Sequence, residues 1–399
     1  MKSKLILLAA CLAISALPAV AGQLPVLVPE SAGISPKDAG VRMHTRLRVL
    51  EVPEASTSTT SQFNTPATLR AVYSLPSTGG SGAIAIVDSY HYPTALNDFN
   101  YFAKYFGLPQ ETSTVATGAN NKMFQVVYAP GYQPQSGGSY IASWNMEAAL
   151  DIEWAHAMAP NAKIYLVEAA SDSDNDLFYA VRVAASLVNV KEVSMSWGGS
   201  EESYEAQQFD PIFKATGVVY FASGGDASDQ MNYPAASPNI VSCGGTSVNR
   251  SSVGAFLSET GWNDTGCGPS VYEPRPTFQN GVLAVVGAKR GVSDMAFDSD
   301  PNTGVYVYDT TPVWGESGWW ILGGTSVASP SLAGVVNLAA ASGNGFAANT
   351  AAEQTRIYGS LGNAKAFRDI TSGTDGKYSC KTGYDFVTGV GSPFSLVGK

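Results

Sequence analysis

The chain has 399 residues, of which 45% are hydrophobic and 14% are charged, so it is long and apolar enough to bury a large core. Its 33 acidic and 23 basic residues give a net charge of −10. This balance argues against nucleic acid or an anionic membrane as a partner.

Residues 1–21 have the pattern of an export signal. Lys2 and Lys4 precede an apolar run over residues 5–17, and small residues end at Ala21, where we expect cleavage. The sequence therefore predicts a secreted protein, extracellular or periplasmic, with no membrane contact once the signal is removed. Lipid modification of Cys11 is an alternative, although the apolar region before it is very short.

Removal of the signal would leave three cysteines: Cys243, Cys267 and Cys380. An odd number allows at most one disulfide within the chain, and the sequence does not indicate its partners. None of them has metal-site spacing or a histidine beside it in a recognisable motif, which disfavours a thiol nucleophile.

Residues 22–62 have the composition of an irregular arm, with one short strand predicted over residues 46–52 and a polar linker over 55–62. We expect the compact domain to span residues 63–399 and to open with a helix at Pro66. Apolar runs typical of buried parallel strands then alternate with helical segments. The predicted strands are residues 83–87, 124–128, 163–167, 192–196 and 218–222, and the predicted helices are residues 95–106, 146–158, 177–188 and 204–216.

This alternation predicts an α/β fold with a doubly wound, mostly parallel sheet flanked by helices. In such sheets ligands bind beyond the carboxyl ends of the strands.

A glycine-rich turn precedes a candidate nucleophile. Gly323 and Gly324 lead into Thr325, Ser326 and a small-residue helix over residues 331–341. A serine placed there has an exposed hydroxyl and an N–H without a carbonyl partner, at the positive end of a helix. The alternative is that Thr325 or Ser326 merely caps the helix.

Three acidic residues are candidates for proton transfer. Glu147 and Asp151 lie four residues apart on one face of an apolar predicted helix. Their repulsion would keep one carboxyl protonated in mild acid, which suits a general base oriented by a second carboxyl. Asp226 follows a buried strand and two glycines, and when protonated it can donate to an oxyanion. The alternatives are a solvated acidic face and a turn-capping aspartate.

The three histidines fit a Ser-His-Asp enzyme poorly. His44 lies in the arm, and His91 lies in a loop after the first strand of the domain. His156 points about 140° away from Asp151 on the same helix.

Residues 324–330 resemble the nucleophile motif of the subtilase superfamily. Together with the acid pair and Asp226, in this order, they make the chain from about Phe63 to its end resemble the sedolisin family of serine-carboxyl peptidases. Further similar segments are residues 84–88, 147–153, 159–164, 194–198, 222–226, 259–263 and 300–304.

The resemblance implies a subtilisin-like single catalytic domain with Ser326 as nucleophile and Glu147 as its general base. Asp151 would orient Glu147, and Asp226 would form the oxyanion hole with the Ser326 N–H. Asp226 must then be neutral while the acid pair shares a proton, so we expect an acidic pH optimum. We expect a monomeric endopeptidase that acts on protein or peptide substrates. The alternative is an inactive peptide-binding homologue on the same scaffold.

The resemblance also implies a substrate-binding strand and a metal site. Ser196, Trp197 and Gly198 would pair with an extended substrate. Residues 367–393 resemble the calcium loop of the family, which implies one structural Ca²⁺. Its ligands would be the carboxylates of Asp369 and Asp385 and the carbonyls of Ile370, Lys381 and Gly383. The alternative is two aspartates in glycine-rich turns.

Two features depart from the pattern of the family. Members usually carry a large N-terminal prodomain, whereas residues 22–62 offer only a candidate short prosegment. Asp88 stands where some members have a glutamate that extends the acid network. Because aspartate is one methylene shorter, we do not expect that extension here.

Overall fold

The computed structural model describes residues 24–51, 63–228 and 230–399. The predicted export signal with Cys11 and the polar linker over residues 55–62 lie outside these ranges. Within the described ranges, no helix has the length and apolar character that crossing a membrane requires.

The α-helices of the described residues are α1 Pro66–Val72, α2 Ala95–Phe106, α3 Ser139–Met158, α4 Asp174–Ser186, α5 Glu205–Gln208, α6 Leu283–Val286, α7 Thr325–Ala339 and α8 Thr350–Gly359. The strands are β1 Val26–Leu27, β2 His44–Thr45, β3 Arg48–Leu50, β4 Ala83–Ser89, β5 Phe124–Tyr128, β6 Lys163–Ala169, β7 Val190–Met195, β8 Trp197–Ser200, β9 Val219–Ser223, β10 Asn232–Tyr233, β11 Val241–Arg250, β12 Phe256–Gly261, β13 Gly268–Pro274, β14 Lys289–Val292, β15 Met295–Asp298, β16 Val305–Val313, β17 Glu316–Gly323, β18 Phe367–Arg368 and β19 Ser392–Pro393.

The largest sheet among these strands has the order β12-β11-β9-β7-β4-β6-β5, with β15 beside β11. Its neighbours are parallel except for β11 and β12. Strand β4 is buried along its whole length, as its continuous apolar run predicts. Ile84 and Ile86 belong to the core that contains α2, α3 and α7. Ala85 and Val87 belong to the core on the other face, which contains α4. The predicted doubly wound α/β sheet is confirmed.

The predicted helices differ from the observed ones mainly at their ends. Helix α3 begins at Ser139, seven residues before the start predicted from its apolar pattern. The single helix predicted over residues 204–216 is wrong, because α5 ends at Gln208 and a 3₁₀ helix follows over Asp210–Lys214. Pro211 explains the break, since proline has no N–H and its ring clashes with the preceding turn.

The N-terminal arm packs onto the domain, contrary to the irregular structure predicted for it. Strand β3 pairs with β1 and with β17, while β2 pairs with β8. Leu47 and Val49 of the arm are 0% and 1% exposed within the main core. Residues 44–50 are therefore held by two different sheets at once.

Candidate active site

The candidate acid pair lies on a helix that is buried almost completely. All residues of α3 from Ile141 to Met158 are buried, and Glu147 and Asp151 are both 0% exposed. Helix α3 packs against α7, the helix that carries Ser326. A solvated acidic face is therefore excluded, and the pair is brought to the predicted nucleophile.

Ser326 lies in the first turn of α7, which begins six residues before the predicted helix. Gly324 precedes it with a φ of 100°, a conformation that side chains other than glycine rarely adopt. The Ser326 hydroxyl donates to the Ser196 carbonyl at 3.4 Å, and the Ser326 N–H donates to the Arg46 carbonyl at 3.0 Å. The predicted exposed hydroxyl and unpaired N–H are therefore wrong for this state, because the hydroxyl binds a carbonyl of the domain and the N–H binds a carbonyl of the arm.

Ser196 connects the acid pair to the nucleophile. Pro330 has no N–H, so the Ser326 carbonyl four residues earlier loses its helical donor. The Ser196 hydroxyl approaches that carbonyl at 3.3 Å and Asp151 Oδ1 at 2.8 Å. Since a hydroxyl has one proton, the shorter contact, to Asp151, holds it, and the Ser326 carbonyl is the weaker acceptor.

Burial and mutual repulsion hold protons on the carboxyl groups. The pKa of Glu147 is raised well above its usual value, first by burial and then by Asp151. The Ser326 hydroxyl and the Arg46 N–H lower it by smaller amounts, although neither Glu147 oxygen has a hydrogen-bond partner. The pKa of Asp151 is raised well above its usual value by burial and by Asp88.

Asp88 lies near the acid pair but extends no hydrogen-bonded chain from it. It is 1% exposed, and neither carboxyl oxygen has a hydrogen-bond partner. Burial and the charge of Glu147 raise the pKa of Asp88 well above its usual value. Asp88 therefore acts on the pair through charge, without a hydrogen-bonded chain.

Asp226 lies beside Gly324 and is held by Thr325. Its Oδ1 accepts from the N–H and the hydroxyl of Thr325, each at 2.8 Å. Burial raises the pKa of Asp226, while Arg48, Thr325 and Arg46 oppose the rise. A Cβ placed on Gly324 would collide with both the Arg46 carbonyl oxygen and Asp226 Oδ2. The Arg46 carbonyl, Asp226 and the Ser326 N–H thus converge on one point.

The predicted substrate-binding strand is occupied by the arm. His44 and Thr45 lie opposite Gly198 and Trp197 in antiparallel pairing. The Arg46 N–H donates to the Ser196 carbonyl at 3.0 Å. A segment of the chain itself therefore runs along this strand in extended conformation and reaches Ser326.

The histidines are engaged elsewhere, as expected. His44 Nε2 lies 3.3 Å from Asp38 Oδ2, and His91 Nδ1 lies 2.8 Å from Glu168 Oε2. His156 Nε2 contacts the Pro109 carbonyl at 2.8 Å, and burial lowers the pKa of His156 to about 4.

The predicted calcium ligands share one loop. Asp369 accepts from the Gly383 N–H at 3.0 Å, and Asp385 Oδ2 accepts from the Lys381 N–H at 3.1 Å. The charge of Asp369 contributes to raising the pKa of Asp385 to about 6, after the larger effect of burial. Within the described ranges, no three His, Cys, Asp or Glu side chains gather as metal ligands. A cation between these carboxylates would relieve their repulsion, but it would need carbonyl oxygens for most of its shell.

The cysteines Cys243, Cys267 and Cys380 are each buried and free. None of them contributes to the site around Ser326.

Sequence reasoning missed two kinds of contact. Thr325, considered only as a cap, positions Asp226 through two hydrogen bonds. Arg46 and Arg48 reach the site from the arm, and their only signal was two arginines flanking Leu47 in an otherwise weakly charged sequence.

No family model matches the chain. Among curated proteins it is 27% identical over 393 residues to sedolisin of Pseudomonas sp. (strain 101). It is 30% identical over 409 residues to kumamolisin of Bacillus sp. (strain MN-32). The alignments cover 88% and 89% of this chain and 63% and 67% of those proteins, so the chain spans about two thirds of their length.

Solved structures agree with these relatives. Pseudomonas sedolisin, a serine-carboxyl proteinase in complex with pseudo-iodotyrostatin, superimposes with a TM-score of 0.67 at 25% identity. The match covers 83% of this chain and 95% of that one. The S41 psychrophilic protease shares the fold, with a TM-score of 0.51 at 19% identity over 82% of this chain and 97% of that one. By its sequence relatives and by the structure it superimposes on, the chain belongs to the sedolisin family.

Proposed function

We propose that the protein is a secreted, acid-active serine-carboxyl endopeptidase. Ser326 is the nucleophile, Glu147 its general base, and Asp151 the group that orients and tunes Glu147. Asp226 and the Ser326 N–H donate to the oxyanion. The family membership and the burial of all four side chains support these roles, as does the approach of Asp226 to the peptide carbonyl that the Ser326 N–H binds.

The observation that carries this proposal is the position of the Arg46 carbonyl. It accepts from the Ser326 N–H at 3.0 Å and lies beside Asp226 at the surface of Gly324. An oxyanion hole places its donors where the carbonyl oxygen of a bound peptide becomes negative. A peptide bound like the arm would meet both donors there.

The reaction follows from the protons at these atoms. Ser326 Oγ turns from the Ser196 carbonyl toward Glu147, gives up its proton and attacks the carbonyl carbon of the substrate. Glu147 passes that proton to the leaving amine, and a water molecule then hydrolyses the ester by the reverse sequence. Asp226 must be neutral to donate to the oxyanion, and Glu147 must be ionised to accept. Activity is therefore confined to acid, where Asp226 keeps its proton while the Glu147–Asp151 pair shares one.

The arm is proposed to be a short prosegment. It forms the antiparallel partner of the strand that contains Trp197 and Gly198, so it excludes other peptides from that edge. Strand Ser196–Gly198 binds substrate after the arm has left. We also propose one structural Ca²⁺ held by Asp369 and Asp385 with the carbonyls of Ile370, Lys381 and Gly383, which supplies positive charge between two facing carboxylates.

Hydrolysis of an acid-denatured protein at about pH 4 tests the proposal. Ser326→Ala should lower the rate by about a thousandfold or more. Ser329→Ala is the matched control, because Ser329 lies one turn further along α7 and bonds Ser194 at 2.9 Å. Equal rates for wild type and Ser326→Ala would remove Ser326 from the mechanism. Absence of hydrolysis by wild type, even after removal of the arm, would identify an inactive peptide-binding homologue.

A further inference from the structure

The side chain of Arg46 fills a pocket beside the nucleophile. Arg46 is 2% exposed, although its guanidinium carries a charge. Its Nη2 donates to the Gly198 carbonyl at 2.7 Å and to the Oδ1 of Asn232. Burial lowers the pKa of Arg46 to about 10, so the group remains a cation throughout the acidic range. A buried cation needs such acceptors, because leaving it unpaired is very costly.

Asn232 is oriented for this contact by the protein around it. It is 4% exposed, and its Nδ2 donates to the Gly224 carbonyl at 2.9 Å and the Gln230 carbonyl at 3.3 Å. Because both amide protons have carbonyl acceptors, the Oδ1 points toward the guanidinium. The acceptor is therefore part of the pocket and does not depend on the arm for its direction.

The pocket also has room and charge suited to a long cation. It continues as a groove of ≈ 830 Å³ lined by Arg46, Asn232, Glu201 and Gln230, among others. The charge of Asp226 favours the charged form of Arg46, the charge of Arg48 opposes it, and Glu147 favours it more weakly. Two carbonyl-type acceptors offer no donor to an acidic side chain at the place where the charge sits.

We propose that this pocket selects arginine as the residue whose carbonyl Ser326 attacks, and that Arg46–Leu47 is the bond of the chain's own arm that it hydrolyses. This inference rests on the proposed function and names its substrate class. Asn232 is the specificity-determining side chain. Hydrogen bonds between a charged donor and such acceptors correspond to about ten- to a hundredfold in rate.

The self-cleavage step balances as an ordinary hydrolysis. Ser326 Oγ bonds to the Arg46 carbonyl carbon, the bond from that carbon to the Leu47 nitrogen breaks, and the Ser326 proton passes through Glu147 to that nitrogen. Water then splits the ester and leaves a carboxyl group on Arg46. Leu47 and Val49 stay in the core after the cut, so the released piece is the part of the arm that ends at Arg46.

The first experiment follows the full chain at acidic pH by mass spectrometry. Wild type should gain an N-terminus at Leu47, and Ser326→Ala should not. Arg46→Met should slow this cut by about ten- to a hundredfold, whereas Arg46→Lys should slow it less. A cut at another bond, or an unchanged rate in Arg46→Met, would overturn the inference.

The second experiment measures kcat/KM for peptides that differ only in arginine or methionine before the cleaved bond. Wild type should prefer arginine by about ten- to a hundredfold, and Asn232→Leu should lose that preference while still cleaving the methionine peptide. Asn249→Leu is the matched control, since Asn249 is exposed on β11. Equal rates for both peptides in wild type would overturn the arginine pocket and leave the proposed function intact.

A third readout does not need catalysis. In Ser326→Ala, Asn232→Leu should speed hydrogen exchange at the Arg46 amide by about tenfold or more, because the side chain no longer holds the arm down. If wild type hydrolysed no peptide, the proposed function would fail, and unchanged exchange at Arg46 would separately overturn the pocket.

Discussion

Arg48 Nη1 lies 3.5 Å from Asp226 Oδ2, and only 15% and 1% of the two side chains are exposed. The arm thus places a cation against the carboxyl group assigned to the oxyanion hole. Burial raises the pKa of Asp226, and the charge of Arg48 is the largest influence opposing that rise. Arg48 therefore favours the ionised form, which cannot donate to an oxyanion.

Replacing Arg48 should move the alkaline limb of the activity profile. In Arg48→Met the pKa of Asp226 rises further, so its neutral form persists to higher pH. We expect the falling limb of kcat/KM against pH to move upward by about one pH unit. Arg48→Lys keeps the charge and should leave the limb near its original position. A downward movement in Arg48→Met would contradict the role given to Asp226.

Replacing Ser196 should move the acidic limb. Hydrogen bonding from its hydroxyl favours the ionised form of Asp151 and lowers that pKa. In Ser196→Ala the acid pair holds its proton to higher pH, so activity should begin at higher pH and kcat should fall about tenfold. Ser194→Ala, two residues earlier on the same stretch, serves as control because Ser194 bonds Ser329 instead. An unchanged acidic limb would show that Ser196 does not tune the pair.

Folding stability should decrease from mild acid toward neutral pH. The folded pKa values of Glu147 and Asp151 are raised well above their ordinary values. Above its ordinary pKa, each of these carboxyl groups is ionised in the unfolded chain but still protonated in the folded chain. Each group therefore lowers the free energy of unfolding by about 1.4 kcal/mol per pH unit until the pH reaches its folded pKa.

Thermal unfolding of Ser326→Ala between about pH 4 and 8 tests this dependence without self-digestion. A further Glu147→Gln change should flatten the decline, since glutamine has no proton to release. Glu316→Gln, at an exposed position on β17, should leave it unchanged. Stability that rises toward neutral pH would contradict the raised pKa values.

Removal of calcium should lower the melting temperature. Asp369 and Asp385 face the same loop, and their repulsion would be uncompensated without a cation. We expect EDTA to lower Tm by roughly 5 °C or more and added Ca²⁺ to restore it. Asp369→Asn should start with a lower Tm and respond little to either treatment. No change in wild type would show that the loop binds no structural ion.

The sheet could be predicted from sequence because its strands are buried on both faces and have continuous apolar runs, as β4 does. The acid pair was equally clear, since Glu147 and Asp151 interrupt a helix that is otherwise apolar. The position of Ser326 followed from Gly323 and Gly324. In each case one local pattern carries the information.

Other features depend on contacts between distant segments. The contact of Arg48 with Asp226 and that of Arg46 with Asn232 join positions far apart in the chain. No periodicity marks such a pair, and a short strand such as β2 forms only because β8 offers an unpaired edge. The contacts of Ser326 with Arg46 and Ser196 could not be predicted for the same reason.

Residues 44–46 occupy the cleft, and the peptide chain joins them directly to Val49, which pairs with Leu322 of β17. The local concentration of this segment at Ser326 is fixed by that tether and does not fall when the protein is diluted. Once the tether is cut, the same segment becomes a separate molecule. The fraction of it bound at Ser326 then falls as the protein is diluted. Cleavage would therefore convert a block that dilution does not weaken into an inhibitor that dilution removes.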